Sequence, residues 1–118
     1  MSDKDAARIR RFRPLLEREL EATLAMRESS ASGRATVALD QQSIGRLSRM
    51  DALQQQQMAL AADRARQQRI ARIRRALEQM DKCEFGYCLE CGSEIADGRL
   101  NADPTAHFCL ACAKARGG

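Results

Sequence analysis

Apolar side chains in the first two thirds of this chain fall on a helical period. Ile9, Phe12, Leu16, Leu20 and Leu24 recur at three- and four-residue intervals, which gathers them on one face of a helix from Ser2 to about Ser29. Ser2, followed by Asp5, is placed to cap its first turn. Pro14 interrupts the pattern, because an interior proline removes a backbone hydrogen bond and crowds the preceding turn; a kink, or two helices meeting near Arg13, is expected. The stretch SSASGRATVALD, residues 29–40, is small, polar and contains Gly33, so it reads as a loop with a short extended piece at Thr36–Leu39. Asp40 or Ser43 then caps a second helix that runs to about Lys82. At 1.5 Å per residue, roughly 40 residues make about 60 Å of helix.

The second helix carries its clearest apolar stripe at Ile70, Ile73, Leu77 and Met80, and the stripe weakens through Ala62, Ala61 and Met58 to the QQQQ run at 54–57. A helix this polar cannot bury itself alone, so its narrow stripe is expected to pair with that of the first helix. The expected fold is mostly α: an antiparallel two-helix coiled-coil hairpin over residues 1–82, with its turn near 30–43, followed by a smaller element over 83–118.

Composition supports that division. One Tyr, three Phe and no Trp cannot furnish an ordinary globular core in 118 residues, whereas Ala, Leu, Arg, Gln and Glu suit long helices. The net charge of +4 comes from 20 basic and 16 acidic residues, interleaved over much of the chain, which is too mild to mark a nucleic-acid binder. Six arginines between Arg64 and Arg75 invite a phosphate-binding reading, but Glu17, Glu19 and Glu21 are placed to face them across the hairpin. The charged start, MSDKDAARIRRFR, has no apolar core of a secretory signal, and no stretch approaches the ~18 apolar residues of a membrane span. A cytoplasmic protein that makes no membrane contact is expected.

In a reducing compartment five cysteines argue for metal rather than disulfides. Cys88 and Cys91 form one Cys-x-x-Cys pair, Cys109 and Cys112 another, and 17 residues separate them. Each pair directs two sulfurs to one side of a turn, and two such turns supply four thiolates to a tetrahedral Zn2+. Four thiolates close the coordination shell, so the zinc is structural, one per chain, and no catalytic role is expected. Gly92 permits a tight turn after Cys91; Gly98 and Asp103-Pro104 supply turns within the intervening segment. Cys83 and His107 would break the symmetry of the two knuckles and are read as non-ligands, Cys83 as a partly buried residue at the junction and His107 at the edge of the finger. Phe85, Tyr87, Ile95, Leu100 and Phe108 form a small cluster with the helix end, and LACAKARGG closes the chain as a short helix. With no nucleophile–base pair, phosphate loop or open metal position, the chain does not read as an enzyme.

The segment FGYCLECGSEIADGRLNADPTAHFCLAC resembles the zinc finger of the DksA/TraR family, with its F-G-x-C-x-x-C-G opening, I-x-x-x-R-L middle, P-T step and closing C-x-x-C. The resemblance implies a non-enzymatic transcription regulator that binds RNA polymerase, the finger docking on the enzyme and the hairpin entering its secondary channel, with no base sequence read. It makes Asp40, Ser43, Arg46 and Arg49 the polar tip of the coiled coil. Where the family carries D-x-x-D-x-A, this chain reads Asp40-Gln41-Gln42-Ser43-Ile44-Gly45, keeping the first acid only. The family also responds to guanosine tetraphosphate through basic residues on the long helix and after the last cysteine. Here Arg69 and Arg72 are the candidates for a second-messenger or phosphate contact, but Ala113 follows Cys112, so a weak response is expected. The alternative is a zinc-finger interaction or nucleic-acid-binding module without secondary-channel activity.

Overall fold

The computed structural model describes the backbone of residues 2–40 and 46–117, and the side chains of residues 2–30 and 48–117. Two long helices, α1 (Asp3–Asp40) and α2 (Arg46–Asp81), precede two short ones, α3 (Asp97–Ala102) and α4 (Leu110–Ala115). The fold is mostly helical, a coiled-coil hairpin followed by a cysteine-bearing finger; an isolated antiparallel bridge pairs Tyr87 with Glu94. No helix among the described residues is long and apolar enough to cross a membrane.

Ser2 starts α1 as its composition predicts: the Asp5 N–H donates to Ser2 Oγ at 3.1 Å, and the Ala6 N–H to the Ser2 carbonyl at 3.0 Å. Two expectations for α1 are corrected. Pro14 lies inside one continuous helix and not at a junction of two, because losing a single backbone hydrogen bond does not end a helix fixed by packing on both sides of it. The loop expected over 29–40 is helix as well, so Asp40 is the last residue of α1 and not the cap of α2. A lone Gly33 disfavours helix by only about 1 kcal/mol, and Ala, Arg and Leu around it favour helix. Ser43, the other expected cap, lies outside the described residues.

The chain forms two compact units, Met1–Glu19 with Ala71–Gly118, and Leu20–Ile70. This division crosses both long helices, whereas the sequence suggests a boundary between 82 and 83. In the first unit the buried apolar side chains are Phe12 and Leu16 of α1, Ile73, Ala76 and Met80 of α2, and Phe85, Ile95, Leu100 and Ala113 of the finger. Phe12 and Phe85 meet as tilted rings, centroids 5.9 Å apart. Arg13 of α1 reaches Asp81 of α2 at 2.7 Å. The expected α1 stripe is shifted: Arg8, Phe12 and Leu16, four residues apart, are the buried row, while Ile9 is half-buried.

In the second unit the seam is polar. Asp63, 9% exposed, accepts from Arg27 Nε at 2.9 Å and Nη2 at 3.4 Å, and from Gln67 Nε2 at 3.2 Å; Arg66 Nη1 donates to Ser30 Oγ at 3.3 Å. Ala59, Asp63, Arg66 and Ile70 recur at the alternating four- and three-residue spacing of a coiled-coil seam, all buried or half-buried. Met58, Ala61 and Ala62, expected to continue the stripe, are exposed. An acid and an arginine occupy seam positions there, so hydrophobicity alone does not reveal the register. The expected pairing of α1 glutamates with α2 arginines is also reversed at Arg27–Asp63 and Arg13–Asp81, where α1 supplies the cation; Glu17 lies 3.8 Å from Arg13 on its own helix.

Candidate metal centre

The finger begins where α2 stops. Cys83 N–H donates to the Met80 carbonyl at 3.2 Å and Glu84 N–H to the Gln79 carbonyl at 2.8 Å, the paired bonds of a Schellman motif. Cys83 holds the left-handed position of that motif, φ +60°, which usually falls to glycine. It is exposed, not partly buried as expected, and does not join the other four cysteines.

The first knuckle is a tight antiparallel turn. Cys88 N–H donates to the Ser93 carbonyl at 2.7 Å, Ile95 N–H to the Gly86 carbonyl at 2.8 Å, and Gly92 N–H to the Cys88 carbonyl at 2.9 Å. Gly92 reverses the chain at φ +75°, as its place after Cys91 suggests, and Gly86 enters the turn at φ +93°. Gly98, expected in a turn, lies within α3. The Asp103-Pro104 turn forms: Asp103 Oδ1 accepts from Thr105 N–H at 3.0 Å and from its hydroxyl at 2.7 Å.

The second knuckle caps α4. Cys109 is its N-cap, and its sulfur accepts from Cys112 N–H at 3.4 Å. The Leu89 N–H, inside the first knuckle, donates to the His107 carbonyl at 2.9 Å and ties the two knuckles together. His107 takes the edge position expected of it, its Nδ1 3.3 Å from the Thr105 carbonyl and its ring against Phe108.

These turns bring the four sulfurs of Cys88, Cys91, Cys109 and Cys112 within 4.8 Å of one another. Cys91 and Cys109 Sγ are 3.7 Å apart. A tetrahedron with Zn–S bonds of about 2.3 Å has sulfurs about 3.8 Å apart, so the donor set has the size zinc requires. Burial pushes the Cys88 thiol up, but the backbone N–H groups of Cys91, Cys109 and Glu90 outweigh it and bring it down to about 6. The Ser93 hydroxyl and N–H hold Cys91 below the usual thiol range. The neighbouring sulfurs of Cys109 and Cys91 instead hold a proton on Cys112 and push it up. Zinc binds thiolates, so a divalent cation entering this set displaces the protons the sulfurs carry. This is a structural zinc site: zinc closes the coordination shell and supplies cross-links where apolar core is scarce.

Periodicity of apolar residues passes over a charged residue of α1 that reaches the residues flanking the first knuckle. Arg8 of α1, its side chain 4% exposed, reaches Glu94 Oε1 at 2.6 Å, Asp5 Oδ1 at 3.4 Å and Asp97 Oδ1 at 3.7 Å. Its guanidinium lies 5.8 Å from the centre of the Tyr87 ring, whose hydroxyl donates to Asp5 Oδ1 at 2.8 Å. Lys4 Nζ also reaches Glu94, at 2.8 Å, and the two cations hold that carboxyl below its usual range. The available signal is the four-residue spacing that puts Arg8 in the same buried row as Phe12 and Leu16.

The remaining candidates are dispersed. Asp40 ends α1, Arg46 opens α2 with its side chain outside the described residues, and Arg49 is exposed on α2. Arg72 lines a cavity of about 330 Å³ with Arg99, Asp103, His107 and Phe108, whereas Arg69 belongs to the other compact unit.

Residues 84–116 match the prokaryotic dksA/traR C4-type zinc finger. Over 43 residues, 36% of this chain, the sequence is 44% identical to the RNA polymerase-binding transcription factors DksA of Escherichia coli strain K12 and Salmonella typhimurium. Over 41 residues, 35% of this chain, it is 46% identical to the DksA of Haemophilus influenzae. Each matched stretch spans 28% of the relative's length, so the chain matches little more than a quarter of these relatives in sequence. The likeness in fold is wider: the structure of transcription factor DksA2 from Pseudomonas aeruginosa superposes with a TM-score of 0.81 over 94% of this chain and 84% of that one, at 23% identity. With four sulfurs at zinc spacing inside it, the segment 84–116 is a zinc finger of the prokaryotic DksA/TraR C4 type.

Proposed function

We propose that this chain is a cytoplasmic, non-enzymatic transcription regulator that binds RNA polymerase directly and acts through the secondary channel by its coiled-coil tip. One coincidence carries the reading: a 43-residue stretch is 44% identical to proteins named RNA polymerase-binding transcription factors, and the fold is shared with DksA2 over 94% of the chain. In this reading zinc fixes the surface that docks, and Asp40, Ser43, Arg46 and Arg49 act at the tip. Contact with DNA is not sequence-specific. Guanosine tetraphosphate is at most a weak ligand, because Ala113 adds no cation after Cys112.

The test is retention of the zinc-loaded chain on immobilised purified RNA polymerase, followed by competition with a factor that occupies the secondary channel. Retention lost on competition is expected. Retention that survives competition favours the second reading, an interaction module without secondary-channel activity, for which the tip sequence, with one acid where the family carries two, speaks. Absence of retention, with DNA affinity falling steeply with salt, points instead to a nucleic-acid binder working through its arginines.

A further inference from the structure

The zinc ligands sit between residues 88 and 112, but the side chain that braces the first knuckle comes from α1. Arg8 contacts both arms of that turn. On the returning arm its Nη2 bonds Glu94 at 2.6 Å, and on the entering arm its guanidinium faces the Tyr87 ring at 5.8 Å and lies against Gly86. The contact with Gly86 is so close that a Cβ there would sit 2.5 Å from Arg8 Nη1 and 2.7 Å from Cδ. Tyr87 and Glu94 are the bridged pair that holds the two arms together, and Cys88 and Cys91 lie on the loop beyond it. The same guanidinium also faces Asp5 and Asp97, so its position is fixed from three carboxylates. A planar fork held this way is a rigid strut; a flexible ammonium in its place would not reach all of these partners at once.

The geometry points to Arg8 as a positioning residue for the metal site: it holds the first knuckle in the shape that presents Cys88 and Cys91, so that zinc affinity depends on a residue outside the finger. Residues that orient the groups around metal ligands typically change metal affinity by about 10- to 100-fold when removed. The coupling is reciprocal, and zinc binding therefore tightens the hold on the first turns of α1. This inference concerns the metal alone and stands whether or not the chain binds RNA polymerase.

The experiment is zinc affinity of the full chain, by competition with a chromogenic chelator, for the parent, Arg8→Met, Arg8→Lys and Arg13→Met. Arg13 is the control: it also leaves α1 in an ion pair, but with Asp81 of α2 instead of the finger. Each variant is compared at saturating zinc for equal ellipticity, so that folded chains are measured. Arg8→Met is expected to weaken zinc at least about tenfold, Arg8→Lys to restore part of the loss, and Arg13→Met to match the parent. Affinity within about twofold of the parent for Arg8→Met overturns the inference, as does an equal loss in Arg13→Met, which would make affinity a mere readout of stability. Should Arg8→Met not fold, Arg8→Lys decides: a several-fold loss supports the assignment and parental affinity overturns it.

Discussion

Three glycines separate backbone strain from steric contact in the finger. Gly86 and Gly92 both have positive φ, +93° and +75°, but an added Cβ meets Arg8 atoms at 2.5, 2.7 and 2.9 Å at Gly86 and nothing within 4 Å at Gly92. Gly98, within α3, has neither feature. An L-residue in the left-handed region costs about 1–2 kcal/mol, which is the whole expectation for Gly92→Ala. Gly86→Ala adds overpacking of about 1–3 kcal/mol, because the side chain that must yield is 4% exposed and ion-paired. Its total is about 2–5 kcal/mol. Gly98→Ala removes a poor helix former and is expected to be neutral or to stabilise by up to about 1 kcal/mol. The assay is urea unfolding at saturating zinc, read by the fluorescence of Tyr87, the single tyrosine in a chain without tryptophan, which lies in the first knuckle. If Gly86→Ala falls within about 0.5 kcal/mol of Gly92→Ala, the Arg8 side chain moves aside freely and the brace described for it does not exist.

Three further outcomes are expected. Ile73→Ala, which truncates a fully buried side chain of the finger unit, destabilises by about 2–5 kcal/mol in the same unfolding assay, and a loss below about 1 kcal/mol would mean that this core is not close-packed. Glu94 is held below its usual carboxylate range, so its contribution to stability is present above about pH 4.3 and is lost as pH falls through the lower folded-state value; the stability gap between parent and Glu94→Gln, clear at pH 7, closes under more acid conditions, and a gap constant with pH refutes this. Stripping zinc with a chelator releases one ion per chain and collapses the Tyr87 signal, yet leaves most far-ultraviolet ellipticity, because α1 and α2 hold 38 and 36 helical residues against 6 each in α3 and α4. Loss of most helical signal on chelation would show the hairpin to depend on the metal.

What was legible in the sequence follows from the range of the interactions involved. The zinc centre needs two local turns at a fixed spacing, and the cysteines and Gly92 announce them. The two long helices follow from apolar period and composition, and Ser2 from its side chain. The extension of α1 through 29–40 is not legible, since small polar residues around Gly33 resemble a loop. Arg8 and Asp63 were missed for a different reason: each is a charged residue in a buried row, made tolerable by partners 86 and 36 residues away. Cys83 carries no local sign of its left-handed backbone; the Schellman bonds at the end of α2 impose it.

Docking of a zinc-held finger on RNA polymerase is the central proposal. The most direct measurement is binding of purified RNA polymerase to the zinc-loaded chain and to the same preparation after chelation, side by side in one titration. Saturable one-to-one binding by the loaded chain, lost on chelation and recovered when zinc is returned, is the predicted result. A zinc-loaded, fully folded chain that shows no saturable binding to the polymerase would contradict it.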